Sequence, residues 1–173
     1  FLFVLITVAI DMLAFGLIIP VIPSLVQEMM HVSPEDSTIW LGLLAATYAL
    51  MNFLFGPTIG ALSDHFGRRS VLLVSIGTLA IDFLIMGFAT SIWLLFIGRA
   101  LSGVSGATYS TANAYIADVT EPSERGRAFG MIGAAFGFGF VFGPVLGGFL
   151  GEINPRAPFF AAAGLAAVNF CYG

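Results

Sequence analysis

Three ionisable residues lie within long apolar stretches of the sequence and are the first candidates for chemistry. Asp11, Asp82 and Arg99 are each flanked by mostly apolar residues. An ionisable group inside a bilayer costs about 2.5–3.5 kcal/mol or more unless it is paired or hydrated. A carboxyl group deprived of water binds a proton more readily, so one with alternating access to two aqueous sides could load and release protons. These residues predict a proton or substrate site. The alternative for Asp11 is a carboxyl group whose hydrogen bonds are satisfied by a neighbouring helix and that has no further role.

The depths of the three groups follow from helix geometry. With a rise of about 1.5 Å per residue, Asp82 lies about 12 Å from the turn at Thr90, and Arg99 lies about 12 Å from Ser91 on the next segment. The two can face each other, either as a functional pair or as an ion pair that only orients two helices. Asp11 comes out about 15 Å deep, near the midplane. No evident partner for Asp11 is visible in the sequence.

Two stripes of residues at helical spacing lie near these charges. Small and polar residues on one face indicate either close helix packing or a water-lined cavity, and an arginine at the head of the first stripe favours the cavity. The second stripe is aromatic and amide-bearing, which suits a flat, partly polar ligand, although packing also explains its phenylalanine. The stripes are Arg99, Gly103, Gly106, Ser110 and Asn113, and Tyr48, Asn52 and Phe55.

The elements that hold these residues are apolar helices. Hydrophobic residues make up 58% of the 173 positions and charged residues 9%, which is too apolar for a soluble domain. A bilayer core needs about 20 residues per helical crossing, and no period-2 alternation favours a barrel. The sequence predicts an all-α membrane protein, with one bundle of six transmembrane helices over residues 1–173. The predicted segments are Phe1 to Leu25, Trp40 to Leu62, Val71 to Ala89, Ile92 to Ala117, Ala128 to Leu150 and Phe159 to the end.

The arginines predict the orientation, because basic residues that flank short loops stay in the cytoplasm. Six crossings place both ends of the chain on one side of the bilayer. The second connection, Ser63 to Ser70, and the fourth, Asp118 to Arg127, carry four arginines, whereas the fifth carries one. We therefore expect a multi-pass protein in a lipid bilayer with a cytoplasmic N-terminus.

The remaining composition excludes several classes of function. A net charge of −4, with six arginines and no lysine, argues against a nucleic-acid partner. Cys171 is the only cysteine, so neither an intrachain disulfide nor a thiolate metal site can form. His31 and His65 both lie in connections, and no catalytic or metal-ligand constellation is visible, so we predict neither an enzyme nor a bound cofactor. Because the sequence stops inside an apolar run, we expect a fragment whose partner half is missing.

The connection between the second and third segments has a specific spacing of glycine, acid and arginine. Its glycine before the arginines permits a sharp turn, and Asp64 can oppose a helix N-terminus or an arginine. The arginines hold the loop at the cytoplasmic surface. The run resembles the signature between helices 2 and 3 of the major facilitator superfamily, although His65 stands where that signature usually has a basic residue. It reads Gly60-Ala-Leu-Ser-Asp64-His-Phe-Gly67-Arg68-Arg69.

The fifth segment contains glycines at intervals of four residues. They let another backbone approach closely, while Pro144 bends the helix, and tight packing alone could explain them. The run also resembles a motif of the antiporters of that superfamily. Similarly, Gly98-Arg99-Ala-Leu-Ser-Gly103 resembles the helix 4 motif whose arginine is tied to proton coupling. The fifth-segment motif reads Gly139-Phe-Val-Phe-Gly143-Pro144-Val-Leu-Gly147-Gly148.

Together these runs make essentially the whole chain similar to bacterial tetracycline:proton antiporters. In that group, carboxylates at the positions of Asp11 and Asp82 matter for transport, as do the loop acid Asp64, the arginine at Arg99 and an amide at Asn52. The amide here is shorter than the glutamine typical of the group. Further matching runs are Asp11 to Gly16, Pro20 to Pro23, Tyr48 to Asn52 and Gly151 to Phe160.

The resemblance implies the N-terminal half of a proton-coupled drug exporter in a bacterial inner membrane. Two six-helix bundles would rock about a central cavity, exchanging an inward proton for a tetracycline-like drug carried with a divalent cation. Asp11 and Asp82 would supply negative charge, and Arg99 would modulate protonation of Asp82. The expected proton and substrate residues are Asp11, Asp82, Arg99, Asn52, Tyr48, Ser110 and Asn113.

Two other functions stay open at this point. Fold does not fix cargo, so a metabolite or sugar exporter could use the same scaffold. A non-transporting membrane receptor is the third possibility, favoured only if the native chain ends near Gly173.

Overall fold

The computed structural model describes residues 2–106 and 108–173, and helices account for most of that length. By length and composition, four helical stretches of these residues could each span a membrane: Leu2–Met30, Pro34–Phe66, Arg68–Phe88 and Arg125–Ile153. The helices are α1 (Leu2–Ile18), α2 (Ile22–Met30), α3 (Pro34–Phe66), α4 (Arg68–Phe88), α5 (Ile92–Ser105), α6 (Thr108–Val119), α7 (Arg125–Ile153) and α8 (Ala157–Tyr172).

The first crossing consists of α1 and α2 with a short break between them. Pro20 lies in the break and has no amide hydrogen to continue the helical bonding. The backbone tightens there, with the Val21 amide donating to the Ile18 carbonyl at 3.2 Å. The helix then resumes and ends at His31, whose left-handed φ of 51° terminates it. The predicted first segment therefore extends five residues further, to Met30.

The second crossing, α3, begins earlier than predicted because polar residues cap it. The Ser33 side chain accepts a hydrogen bond from the Asp36 amide at 3.2 Å, and Pro34 occupies the first turn. The negative charges of Glu35 and Asp36 in that turn also interact favourably with the positive end of the helix dipole. The stretch from His31 to Thr38, predicted as a loop, is therefore mostly the start of a helix.

The predicted second connection, Ser63 to Ser70, is also mostly helical. α3 continues to Phe66 and α4 starts at Arg68, which leaves Gly67 alone between the two helices. Gly67 has a φ of +91°, a conformation that residues with a side chain rarely adopt. The predicted sharp turn at this glycine is confirmed.

Neither α5 nor α6 is long enough alone to cross a bilayer, having 14 and 12 residues. Both pack along α4, with Gly98 of α5 beside Met86 near the end of α4. At the start of α4, Arg68 pairs with Asp118 near the end of α6. The two helices therefore run antiparallel to the full length of α4 and make one crossing. With the shorter α8, the described chain has the predicted six crossings.

Contacts between helices show which crossings run in the same direction. Met12 of α1 lies against Gly139 of α7, and Leu17 lies against Gly147. Both pairs advance together along the chain, so α1 and α7 run parallel. This is the direction expected for the first and the fifth of six crossings, because both start on the same side of the bilayer.

Both ends of the described chain lie on one face of the bundle, which we call the terminal face. The rings of Phe3 and Tyr172 lie 5.7 Å apart, and the Arg69 guanidinium lies 5.8 Å from the Phe3 ring. The opposite face holds the α7–α8 connection. There the Arg156 side chain donates to the carbonyl oxygens of Gly87 and Ala89, at 2.8 and 2.6 Å, and so caps the end of α4.

The apolar core is divided into two clusters. The larger involves α1, α2, α4, α5 and α8 with Leu44 of α3, and it includes Leu25, Phe83 and Phe159. The smaller lies where α1, α6 and α7 meet and includes Val8 and Ile132. By contrast, α3 and α7 bury few of their residues and leave long apolar faces uncovered.

Candidate functional site

A cavity of about 340 Å³ lies among α1, α3, α4, α6 and α7. It combines one carboxyl group, one phenol, one amide and one hydroxyl group with several aromatic rings. Four of the seven residues predicted for the proton and substrate site line it, and three do not. The lining residues are Asp11, Met12, Phe15, Tyr48, Asn52, Leu79, Gly106, Ser110, Phe136 and Phe140.

Asp11 forms part of the cavity wall and is only 3% exposed. Its carboxylate oxygen Oδ1 accepts a hydrogen bond from the side-chain amide of Asn169 on α8, at 3.2 Å. The expectation that Asp11 has no evident partner was therefore wrong. The partner lies in the last crossing, where a single uncharged amide in an apolar segment gives little sign of its role in the sequence.

Tyr48 and Asn52 project from successive turns of α3 into the same cavity. Gly106 brings the α5–α6 crossing close to them, since a methyl group on it would lie 2.9 Å from the Tyr48 hydroxyl oxygen. Phe55, the third residue of the predicted stripe, is 41% exposed and does not line the cavity. The stripe thus contributes one phenol and one amide to the cavity.

Two aromatic residues of α7 complete the cavity and were not predicted. Phe136 and Phe140 are one helical turn apart, and their rings stack at 5.8 Å with an angle of 11° between planes. Phe15 of α1 adds a third ring. The two phenylalanines are four residues apart in the sequence, which places them on one face of α7. The glycine motif of the same helix indicates close packing and does not point to an aromatic cavity wall.

Asp82 lies outside the cavity, fully buried between α4 and α5. The Ser102 hydroxyl donates to its Oδ2 atom and also contacts the Gly98 carbonyl at 3.1 Å. A side chain on Gly98 would collide with the other carboxylate oxygen, so this glycine makes room for the acid. That oxygen, Oδ1, has no hydrogen-bond partner among the described residues.

Arg99 is close to Asp82 but does not form an ion pair with it. Within the described part of the chain, ion pairs shorter than 4.0 Å involve Arg68 and not Arg99. The Arg99 guanidinium instead donates to the Met86 sulfur at 3.8 Å and lies 6.0 Å from the centre of the Phe15 ring. The predicted proximity holds, since Met86 contacts the Arg99 guanidinium and lies, together with the Asp82 carboxylate, beside Gly98.

The small-residue stripe on the fourth crossing serves more than one purpose. Gly103 is a packing contact, because a methyl group there would lie 2.6 Å from the Tyr48 carbonyl oxygen and 2.7 Å from Met51. Ser110 lines the cavity, whereas Asn113, one turn further along α6, does not. The stripe is therefore divided between helix packing and the cavity.

At the terminal face, Arg68 joins the start of α4 to two acids. One of its nitrogens lies 2.5 Å from Asp64 on α3, and another lies 3.0 Å from Asp118 on α6. The predicted pairing of Asp64 with an arginine is confirmed. Arg69 is exposed, and Gly60 has open space where a side chain would project.

Three of the motif glycines on α7 pack against α1. Methyl groups on Gly139 and Gly143 would lie 2.6 Å from the backbone of α1, and one on Gly147 would overlap the Leu17 carbonyl. Gly148 has open space around it, so it is not part of this contact. Pro144 lies against Gly16, and α7 continues as one helix through it.

The described residues contain no group of three potential metal ligands among His, Cys, Asp and Glu. The polar groups that converge in the described residues include the four of the cavity, Asp82 with Ser102 between α4 and α5, and the arginine cluster at the terminal face.

Comparisons with known proteins place these features in context. The model of the Major Facilitator Superfamily matches residues 4–172. The chain is 46% identical over 166 residues to the Tetracycline resistance protein, class B, of Escherichia coli, covering 96% of this chain and 41% of that protein. It is 47% identical over 167 residues to the class C protein of Escherichia coli, covering 96% and 42%. The chain thus spans about two fifths of the length of the curated relatives it matches.

Two further matches extend the comparison. The chain is 36% identical to Multidrug resistance protein 2 of Bacillus subtilis (strain 168), covering 97% of this chain and 41% of that protein. A crystal structure of the human organic anion transporter MFSD10 (TETRAN) superposes with a TM-score of 0.83 at 26% identity, covering 98% of this chain and 45% of that one. These matches confirm the resemblance drawn from the motifs, and they are to transport and resistance proteins rather than enzymes.

Proposed function

Since the chain belongs to the Major Facilitator Superfamily, we propose that it is the N-terminal half of a proton-coupled drug exporter that works by alternating access. The observation that carries the proposal is the cavity in which the Asp11 carboxylate, the Tyr48 phenol and the Asn52 amide meet a wall of aromatic rings. Apolar rings with a few convergent polar groups suit a flat, amphipathic drug better than a strongly hydrated metabolite.

The substrate is a tetracycline-like drug, carried as its complex with a divalent cation. Asp11 places a carboxyl group in the cavity wall. Hard divalent cations prefer carboxylate oxygens as ligands, so this group suits the cation of the complex. Tyr48 and Asn52 provide hydrogen bonds, and the stacked rings of α7 cover the flat face of the drug. The names of the tetracycline resistance relatives support this choice.

Proton coupling resides at Asp82, away from the drug. The side chain is fully buried, it has one hydroxyl donor, and the Arg99 charge lies nearby. A buried acid of this kind is costly to keep charged in a membrane, so exchange of its proton when the helices move is the coupling step. Arg99, beside the carboxylate, modulates its protonation.

The terminal face is cytoplasmic and the membrane is a bacterial inner membrane. Arginines of the second and fourth connections lie on this face, in agreement with the distribution of basic residues around short cytoplasmic loops. The cluster of Arg68 with Asp64 and Asp118 joins three helices there, so its breakage and reformation would accompany opening of that side. The uncovered apolar faces of α3 and α7 are the surfaces available to the C-terminal half and to lipid.

Growth and flux measurements on the intact protein test the proposal. Cells that express it should survive tetracycline, and vesicles that contain it should release protons when the drug is added. A sugar or metabolite exporter would give neither response but would move its own cargo. A receptor would bind a ligand without any net flux.

A further inference from the structure

Asn169 is the only amide of α8 and donates a hydrogen bond to Asp11, although it does not itself line the cavity. Asn169 is fully buried, and its neighbours in the sequence are apolar. Its side-chain nitrogen Nδ2 donates two hydrogen bonds into α1, one to the Thr7 carbonyl oxygen at 3.0 Å and one to the Asp11 carboxylate at 3.2 Å. One amide group therefore holds both the backbone and the acid of the first crossing.

The Thr7 carbonyl fixes which way the Asn169 amide points. A backbone carbonyl only accepts hydrogen bonds, so the amide must present its nitrogen to it. Rotating the amide by half a turn would bring two oxygens together. The Thr7 carbonyl therefore fixes the orientation in which the amide N–H faces Asp11. This orientation does not depend on whether Asp11 is protonated.

Packing alone does not explain an asparagine at this position. The Asn169 carbonyl oxygen has no hydrogen-bond partner among the described residues. A leucine, which is branched at the same carbon although somewhat larger, would fill the space without burying an unsatisfied oxygen, which is a costly arrangement. The amide is useful at this place because it donates to a carboxylate, and such bonds are stronger than neutral ones.

We propose that Asn169 is a positioning residue for Asp11, which orients the carboxylate toward the cavity so that it can contact the cationic part of the substrate. Its role in transport rests on the function proposed above, whereas its hydrogen bond to Asp11 does not. Asn169 itself does not line the cavity and acts on the substrate only through Asp11.

Two substitutions in the intact transporter separate positioning from packing. Asn169→Leu keeps the branched shape with a somewhat larger side chain and removes the donor, and Asn169→Gln keeps an amide donor on a longer side chain. We expect Asn169→Leu to raise the apparent KM for tetracycline roughly tenfold, because hydrogen bonds to charged groups are worth about that factor. Asn169→Gln should restore part of the affinity. The maximal rate should change less than the KM in both variants.

The same substitution in an Asp11→Asn background tests whether the effect passes through the carboxylate. Positioning predicts that Asn169→Leu adds little once the charge of residue 11 is gone. An equal tenfold loss in both backgrounds would overturn the proposal, as would a Leu variant that transports better than the Gln variant. If the Leu protein does not fold, Asn169→Ala takes its place in the same cycle.

An infrared measurement separates this inference from the proposed function. In purified protein with ¹³C-labelled aspartate, the carboxylate band that disappears in Asp11→Asn belongs to Asp11. That band should move in Asn169→Leu, and its position should be partly restored in Asn169→Gln. An unchanged band would reject the positioning role even if the protein exports tetracycline. A wild-type protein without drug transport would reject the proposed function, whatever the band does.

Discussion

The two buried carboxylates of this half occupy different surroundings although both are almost completely shielded from solvent. Asp11 is 3% exposed, lines the cavity and is held from behind by an amide. Asp82 is 0% exposed, lies between two helices and is held by a hydroxyl. The difference indicates that burial alone does not assign a task to an acid, since Asp11 lines the cavity and Asp82 does not.

One aromatic residue lies between the two regions. Phe15 contributes its ring to the cavity that contains Asp11, and the Arg99 guanidinium beside Asp82 lies over that ring at 6.0 Å. The Phe15 ring therefore links the cavity wall to Arg99 through a cation–π contact, and under the proposed function this contact couples the cavity to Asp82.

The largest expected effect is on the contact that holds the Asp11 helix against α7. In Gly143→Ala the new methyl group would lie 2.6 Å from the Gly16 backbone, which has no side-chain freedom to yield. We expect a loss of about 3 kcal/mol or more, at the upper end of overpacking, seen as a lower melting temperature of the intact protein in detergent.

Gly148→Ala is the matched control for this substitution. It adds the same methyl group to the same helix at a position with open space in this half. Similar melting temperatures for the two variants would contradict the close parallel packing of α1 and α7.

A smaller change is expected from Gly98→Ala in the Asp82 region. The added methyl group would collide with the Asp82 carboxylate and lie 3.0 Å from Met86, and both side chains can move. The stability loss should therefore be only about 1–2 kcal/mol. Because the carboxylate is displaced from Ser102, drug-driven proton release should nevertheless fall strongly, measured with a pH indicator in vesicles. Gly164→Ala on α8, with open space around it, should leave both quantities unchanged.

The smallest predicted effect concerns Phe15. Phe15→Leu retains an apolar side chain in the cavity wall but removes the cation–π contact with Arg99, which is worth about 0.5–1 kcal/mol. Exchange should slow by roughly two- to fivefold. Phe140→Leu removes a ring from the same cavity without touching Arg99, so it should weaken drug binding yet keep the proton-to-drug ratio. Equal exchange rates for Phe15→Leu and Phe140→Leu at saturating drug would show that Phe15 has no separate role in coupling.

Much of the fold could be predicted from the sequence because hydropathy locates helices that must cross a bilayer. The helix ends were less predictable, since the residues that cap them are polar and resemble loops. Ser33 and Pro34 start α3 several residues before its apolar part, and Gly67 alone separates α3 from α4. The partner of the α7 glycines was not predictable, because a glycine favours close approach without identifying the helix that approaches.

The candidate site was predictable in its residue types and less so in its geometry. The depths of Asp82 and Arg99 in the bilayer correctly predicted that the two residues lie near each other. Depth does not determine the direction in which a side chain points around the helix axis. Arg99 therefore points to Met86 and Phe15 rather than forming an ion pair. Asn169 was missed because an uncharged amide in an apolar segment gives a weaker sequence signal than an acid.

The most direct test of two carboxylates with two tasks compares Asp11→Asn and Asp82→Asn in the intact protein. Tetracycline binding at equilibrium and drug-driven proton release from vesicles are measured on both. Asp11→Asn should weaken binding roughly tenfold through loss of a charged contact. Asp82→Asn should bind the drug normally and release no protons. The account is contradicted if Asp82→Asn still exchanges protons for drug, or if Asp11→Asn binds the drug as tightly as the wild type.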